Sequence, residues 1–164
     1  MTPVYIGLGS NMGNRVDHLH QALTRLDTLF ELNQLSPVYE TLPKYVEDQS
    51  PFLNMVVSGE TLLDPLQLLA QLKTFEVEIG RVPSLERYGP RAIDLDILLF
   101  GEAVIVKPEL SIPHPLMAER EFVLRPLADI AAGFRHPVSG QTIVQMLAAL
   151  EGEPEASLFV IDVQ

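Results

Sequence analysis

Apolar and polar positions change period along the chain, and each change marks an element. Residues 4–9, VYIGLG, form an apolar run closing on glycine, the pattern of a buried strand. Val16, Leu19, Ala22, Leu23 and Leu26 then recur at helical spacing, with Asn14 placed as the cap. LSPVYET (35–41) and FLNMVVSGETL (52–62) read as strands separated by a loop containing Pro43 and Lys44. Residues 64–80 read as a helix capped by Asp64, opened by Pro65 and stopped by Gly80. Residues 81–91, RVPSLERYGPR, are too polar and broken for an element and predict a mobile functional loop. AIDLDILLF (92–100) is a strand, GEAVIV (101–106) its short partner after a turn at Gly101, and SIPHPL (111–116) a rigid connector. Helices are expected over 118–131, with Pro126 in the way, and over 142–150, before a terminal strand at 157–162. The order, roughly βαββαββαα(β), predicts a single α+β domain over 1–164. Its fold is a ferredoxin-like sandwich, a mainly antiparallel sheet with helices packed on one face.

The chain has 164 residues, 47% hydrophobic and 20% charged, the balance of one globular domain. It contains no cysteine, so disulfides, thiol nucleophiles and thiolate metal sites are excluded. A metal must sit on oxygen or imidazole, which suits magnesium or manganese. No apolar run reaches the roughly 20 residues of a membrane span, and the N-terminus lacks signal-peptide features, so a cytoplasmic location is expected. The formal net charge of -11 argues against nucleic-acid binding. Yet Arg81, Arg87, Arg91, Arg120 and Arg125 gather between residues 81 and 125, a composition that fits a small anion.

Strand residues two apart share a face, so Asp94, Asp96, Leu98 and Phe100 are expected on one side of their strand and Ile93, Leu95, Ile97 and Leu99 on the other. The two acids read either as a solvated strand end or as ligands of one or two hard cations beside phosphate-binding arginines. GLGSNMGN (7–14) reads either as a tight packed turn or as a phosphate cradle; it matches neither the P-loop nor the dinucleotide fingerprint. His114, between prolines, is either a surface histidine in a rigid turn or a ligand-orienting imidazole. His18 and His20 look solvated, and His136 structural.

Four stretches together resemble 6-hydroxymethyl-7,8-dihydropterin pyrophosphokinases: YIGLGSNMGNR, FLN, ERYGPRAIDLDILLFG and IPHPLMAEREFVLRPLADIA, in the family's order and across nearly the whole chain. The resemblance implies transfer of the β,γ-diphosphate of ATP to the hydroxymethyl group of a dihydropterin, giving AMP, in folate biosynthesis. It implies two Mg2+ ions on Asp94 and Asp96, with Arg81 and Arg91 on the phosphates. It further places His114, Arg120, Glu76 and Ile97 at the nucleotide. Thr41, Pro43 and Lys44 would line the pterin pocket, Asn54 would read the pterin edge, and Phe52 and Phe122 would stack on its faces. A monomer with small-molecule substrates, no nucleic acid and no membrane is implied. The chain departs from better-known bacterial members at Pro83, Tyr88, Glu109 and Pro115, which bears on loop closure and ATP affinity. Two other readings use the same residues: a magnesium-dependent phosphohydrolase, which would activate water, and a ferredoxin-like binding module without catalysis.

Overall fold

Capping chemistry sets the helix boundaries much as the sequence predicts. In the computed structural model, which describes residues 1–41, 50–80, 91–150 and 156–159, α1 spans Arg15–Leu29 and α2 spans Pro65–Ile79. The Asn14 side chain accepts from the Asp17 N–H at 3.1 Å. At α2, Asp64 and Gln67 bond each other's backbone N–H reciprocally, and Gly80 takes φ 121° at the stop, a conformation that favours glycine. α3 (Glu121–Ala131) follows a 3₁₀ turn at Met117–Glu119 and continues through Pro126. α4 spans Ile143–Ala148, capped by Thr142.

The strands are β1 (Thr2–Ser10), β2 (Leu32–Leu35), β3 (Val38–Thr41), β4 (Phe52–Thr61), β5 (Asp94–Phe100), β6 (Ile105–Val106), β7 (Ser111–Ile112) and β8 (Ala156–Phe159). The main sheet runs β5-β1-β4-β3-β8, with β2 also on β4, and every pairing in it is antiparallel. The α+β reading with a mainly antiparallel sheet therefore holds.

Four finer expectations are corrected. Helices cover both faces of the sheet, not one. Val4, Ile6, Leu8, Leu53, Met55 and Val57 pack under α1 and α2, while Val56, Leu98 and Leu99 pack under α3 and α4. Along β5, Tyr5 pairs with Leu99 but Ile6 pairs with Ile97, so Leu98 is an extra residue. That bulge reverses the alternation: Leu99 joins the α3 side and Phe100 the α1–α2 side, opposite to simple period 2. The stretch 35–41 is two strands rather than one, because Pro37 cannot donate to the ladder. Ser36 carries the pairing across the break: its N–H donates to the Val56 carbonyl and its Oγ accepts from the Val56 N–H, both at 2.9 Å. Finally, β6 pairs with β7, not β5. Among the described strands β5 pairs only with β1, which makes it an edge.

Candidate active site

The site lies on the α3 side of the sheet, at the end where β1 leaves for α1. In cross-strand register, Gly9 pairs with Asn54 on β4 and with Asp94 on β5, and Gly7 pairs with Asp96. Neighbouring strands lie roughly 4.8 Å apart, so Asn54 and Asp94 face the same way across a bare glycine strand, about 10 Å from each other. A Cβ built on Gly9 would meet Asn54 Oδ1 at 3.0 Å and the Phe52 ring at 3.7 Å. Glycine here keeps an open trough between an amide and two acids.

Each wall of the trough is held from behind. On β4, Asn54 is buried and its Nδ2 donates to Thr41 Oγ1 at 2.9 Å, which fixes the amide's orientation. Phe52 shares that face two residues away. On β5, the outward N–H of Leu95, between the two acids, donates to Glu76 Oε2 at 2.8 Å. Glu76, on α2, is 1% exposed and also meets Lys73 Nζ at 3.3 Å. Its carboxylate covers the free edge of β5. Ile97 points into the α1–α2 core, so whatever it gives the site comes from its main chain. Arg91, 8% exposed, is gripped by Asn11: its N–H donates to Asn11 Oδ1 at 2.7 Å and its carbonyl accepts from the Asn11 N–H at 3.0 Å.

The connector after β7 supplies the third wall. The Ile112–Pro113 bond is cis, and the His114 N–H donates to the Leu98 carbonyl at 3.0 Å. His114 Nδ1 accepts from the Leu116 N–H at 3.2 Å, which leaves the proton on Nε2. Burial, then the nearby Arg120, pushes the His114 pKa down to about 4 against a pull from Asp94, so the ring is a neutral donor at pH 7. The Arg120 guanidinium lies 5.4 Å from the centroid of the Phe122 ring, a cation–π pair at the start of α3.

Charge at the acids is strongly unbalanced. Burial, then Asp94 and Glu76, raises the Asp96 pKa to about 8, while Lys73 and Arg120 pull it down. Asp96 as a residue is half-buried, and its carboxyl is recessed among the neighbouring groups. Two oxygen donors, a negative locus and a bare glycine trough fit a hard divalent cation. Among the described residues no group of three or more His, Cys, Asp or Glu could hold a metal by themselves. The remaining ligands would be phosphate oxygens and water, the usual habit of magnesium.

The structure thus sets Thr41, Phe52, Asn54, Asp94 and Asp96 on one face of the sheet, brings His114 and Arg120 near the acids with Phe122 beside Arg120, ties the Arg91 main chain to Asn11 just past β1, and places Glu76 behind β5. Pro43, Lys44, Arg81, Pro83 and Tyr88, with the loop expected to be mobile, lie outside the described residues. Sequence reasoning missed the supporting roles of Asn11, Gly7 and Gly9. The signal for the glycines was present: two of them two apart in a buried strand leave one face bare.

A profile described as 7,8-dihydro-6-hydroxymethylpterin-pyrophosphokinase (HPPK) matches residues 5–132. The chain is 45% identical over 148 residues to the 2-amino-4-hydroxy-6-hydroxymethyldihydropteridine pyrophosphokinase of Pseudomonas aeruginosa, covering 89% of this chain and 90% of that protein. It is 40% identical over 138 residues to the Aquifex aeolicus protein of the same name, covering 84% and 86%. Folic acid synthesis protein fol1 of Pneumocystis carinii is 44% identical over 141 residues, which cover 85% of this chain but only 19% of that longer protein. A Plasmodium falciparum HPPK-DHPS crystal structure superposes with a TM-score of 0.73 at 19% identity, covering 90% of this chain and 44% of that one. At that identity the likeness is one of fold.

Proposed function

Since the chain belongs to the 7,8-dihydro-6-hydroxymethylpterin-pyrophosphokinase family, we propose that its glycine trough joins a pterin reader to a diphosphate-transfer centre. The pyrophosphokinase activity and its place in folate biosynthesis follow from the family and from bacterial relatives 40%, 45% and 47% identical. ATP is the co-substrate. In the reaction the hydroxymethyl oxygen attacks the β-phosphorus, the bond from that phosphorus to the α-phosphate oxygen breaks, and AMP leaves as the hydroxyl proton is released.

The residues divide the work by position. Asn54, held by Thr41, offers donor and acceptor to the pterin edge. Phe52 and Phe122 supply the aromatic faces a flat heterocycle needs, and Pro43 and Lys44 complete that pocket. Asp94 and Asp96 would hold magnesium, two ions on this reading. Bound there, magnesium supplies charge neutralisation on the phosphate oxygens. Arg91 and Arg81 bind nonbridging oxygens, whose charge shifts during transfer. Neutral His114 donates from Nε2 to the nucleotide, with Arg120 beside it. Glu76 and the main chain of Ile97 border it from the outer edge of β5. The reading includes a single-domain monomer acting in the cytoplasm; no helix among the described residues is long and apolar enough to cross a membrane.

The observation that carries this reading is the register Asn54–Gly9–Asp94, which sets an edge reader and a carboxylate on one face with room between them. Incubation with ATP, magnesium and 6-hydroxymethyl-7,8-dihydropterin tests it. AMP formed only with pterin is expected. ADP, or turnover without pterin, would indicate a phosphohydrolase instead, and no turnover a binding module.

A further inference from the structure

One guanidinium, from Arg15 at the first position of α1, sits where three segments meet. Arg15 Nη1 donates to Glu40 Oε2 and to the Pro51 carbonyl, both at 2.8 Å. Its Cζ also lies 5.7 Å from the centroid of the Phe159 ring. Glu40 is the penultimate residue of β3, Pro51 immediately precedes β4, and Phe159 ends β8. The next rung of the β3–β4 ladder is Thr41 with Phe52, and the Asn54 amide hangs on Thr41 Oγ1.

We propose that Arg15 is a positioning residue for pterin. By drawing Glu40 and Pro51 onto one nitrogen it sets the spacing between the ends of β3 and β4, and with it the Phe52 ring and the Asn54 amide. The inference rests on the pterin assignment made above. Pro51 has no N–H to give a neighbouring strand, and its carbonyl is held by the Arg15 side chain. The bond to Glu40 is charge-assisted and short. Both side chains are largely covered, 25% and 33% exposed, so solvent screens the pair less than it would on open surface. From the far side, Ser157 pairs with Glu40 in the β3–β8 ladder and its Oγ donates to the Glu40 carbonyl at 3.3 Å. The clamp is therefore packed on both flanks. It lies on the β4 side of β1, while Asp94 and Asp96 lie on the β5 side. A clamp here should tune pterin binding and leave the nucleotide alone; a merely structural role would weaken both.

Calorimetric titrations separate the two. The parent, Arg15→Met, Arg15→Lys and Glu40→Gln are titrated with a nonhydrolysable ATP analogue, then with the pterin in its presence. Arg15→Met should weaken pterin binding by about tenfold and change analogue binding by less than about twofold. Glu40→Gln, which keeps the side chain's size, should weaken pterin binding less, and the double variant Arg15→Met with Glu40→Gln, titrated in the same way, should lose no more than Arg15→Met alone. Arg15→Lys should recover part of the loss. Unchanged pterin affinity in both Arg15→Met and Glu40→Gln overturns the proposal, as does an equal loss for pterin and analogue. Asn54→Ala is measured alongside: if it too leaves pterin affinity unchanged, the pterin assignment itself fails. If Asn54→Ala weakens pterin and the clamp variants do not, only the clamp fails.

Discussion

Asp96 sits against Asp94 and Glu76, and its carboxyl ionises near pH 8 in the metal-free fold but near pH 4 in an unfolded chain. Between those values the folded state holds more protons, so stability falls as pH rises. Asp96→Asn removes that slope. In chelator, thermal unfolding from pH 5 to 8 should show the variant gaining on the parent as pH rises, while magnesium-dependent AMP formation is lost. His114 behaves oppositely. Its depressed pKa of about 4 means that the stability of the neutral buried ring is fully present above about pH 6.5 and lost as pH falls through 4. Unfolding curves of His114→Gln should lack that acid limb. Gly9→Ala places a Cβ against Asn54 Oδ1 and should raise the pterin KM by about tenfold, with kcat less affected, what one misplaced hydrogen bond costs. The shared face of Asp94 and Asp96 was legible from period 2 alone. The grips of Asn11 on Arg91 and of Arg15 on Glu40 and Pro51 were not, because they join residues 80, 25 and 36 positions apart.

Elements with strong local punctuation were readable and those shaped by neighbours were not. Both long helices carried their N-caps in the sequence, and α2 also its stop at Gly80. The bulge at Leu98 did not announce itself, since ILLF (97–100) is apolar on either face; only the partner strand decides which leucine is extra. Likewise GEAVIV looked like a hairpin return, but its pairing went to β7. The break at Pro37 was visible as a proline, whereas its repair by Ser36 was not. That repair predicts a measurable cost. Ser36→Ala would strand the Val56 N–H, which lies in a core position 1% exposed. Denaturant unfolding should show a loss of roughly 1–3 kcal/mol. AMP formation by the folded fraction should stay near the parent rate, because Ser36 lies away from the trough.

Across the whole molecule, β1 acts as a spacer between two chemistries. Gly9 leaves the α3 face bare at the end of the strand, β4 brings the amide and ring from one side, and β5 brings the acids from the other. Family resemblance had named these residues, and the register gives a physical reason for the proposed pairing: on that reading the substrates would meet over Gly9, which has no side chain to put in the way. The arrangement also separates binding from transfer, since the pterin reader and the carboxylates stand on different strands. The most direct test measures pterin affinity, with a nonhydrolysable ATP analogue present, and the single-turnover rate of AMP formation for Asn54→Ala and Asp96→Asn side by side. Asn54→Ala should lose roughly 1–3 kcal/mol of pterin binding and keep much of its single-turnover rate at saturating pterin. Asp96→Asn should keep pterin affinity within about twofold and lose turnover, because it discards an anionic ligand that a hard cation needs. Two variants with the same pattern of loss would contradict the division of the trough into a reading side and a transferring side.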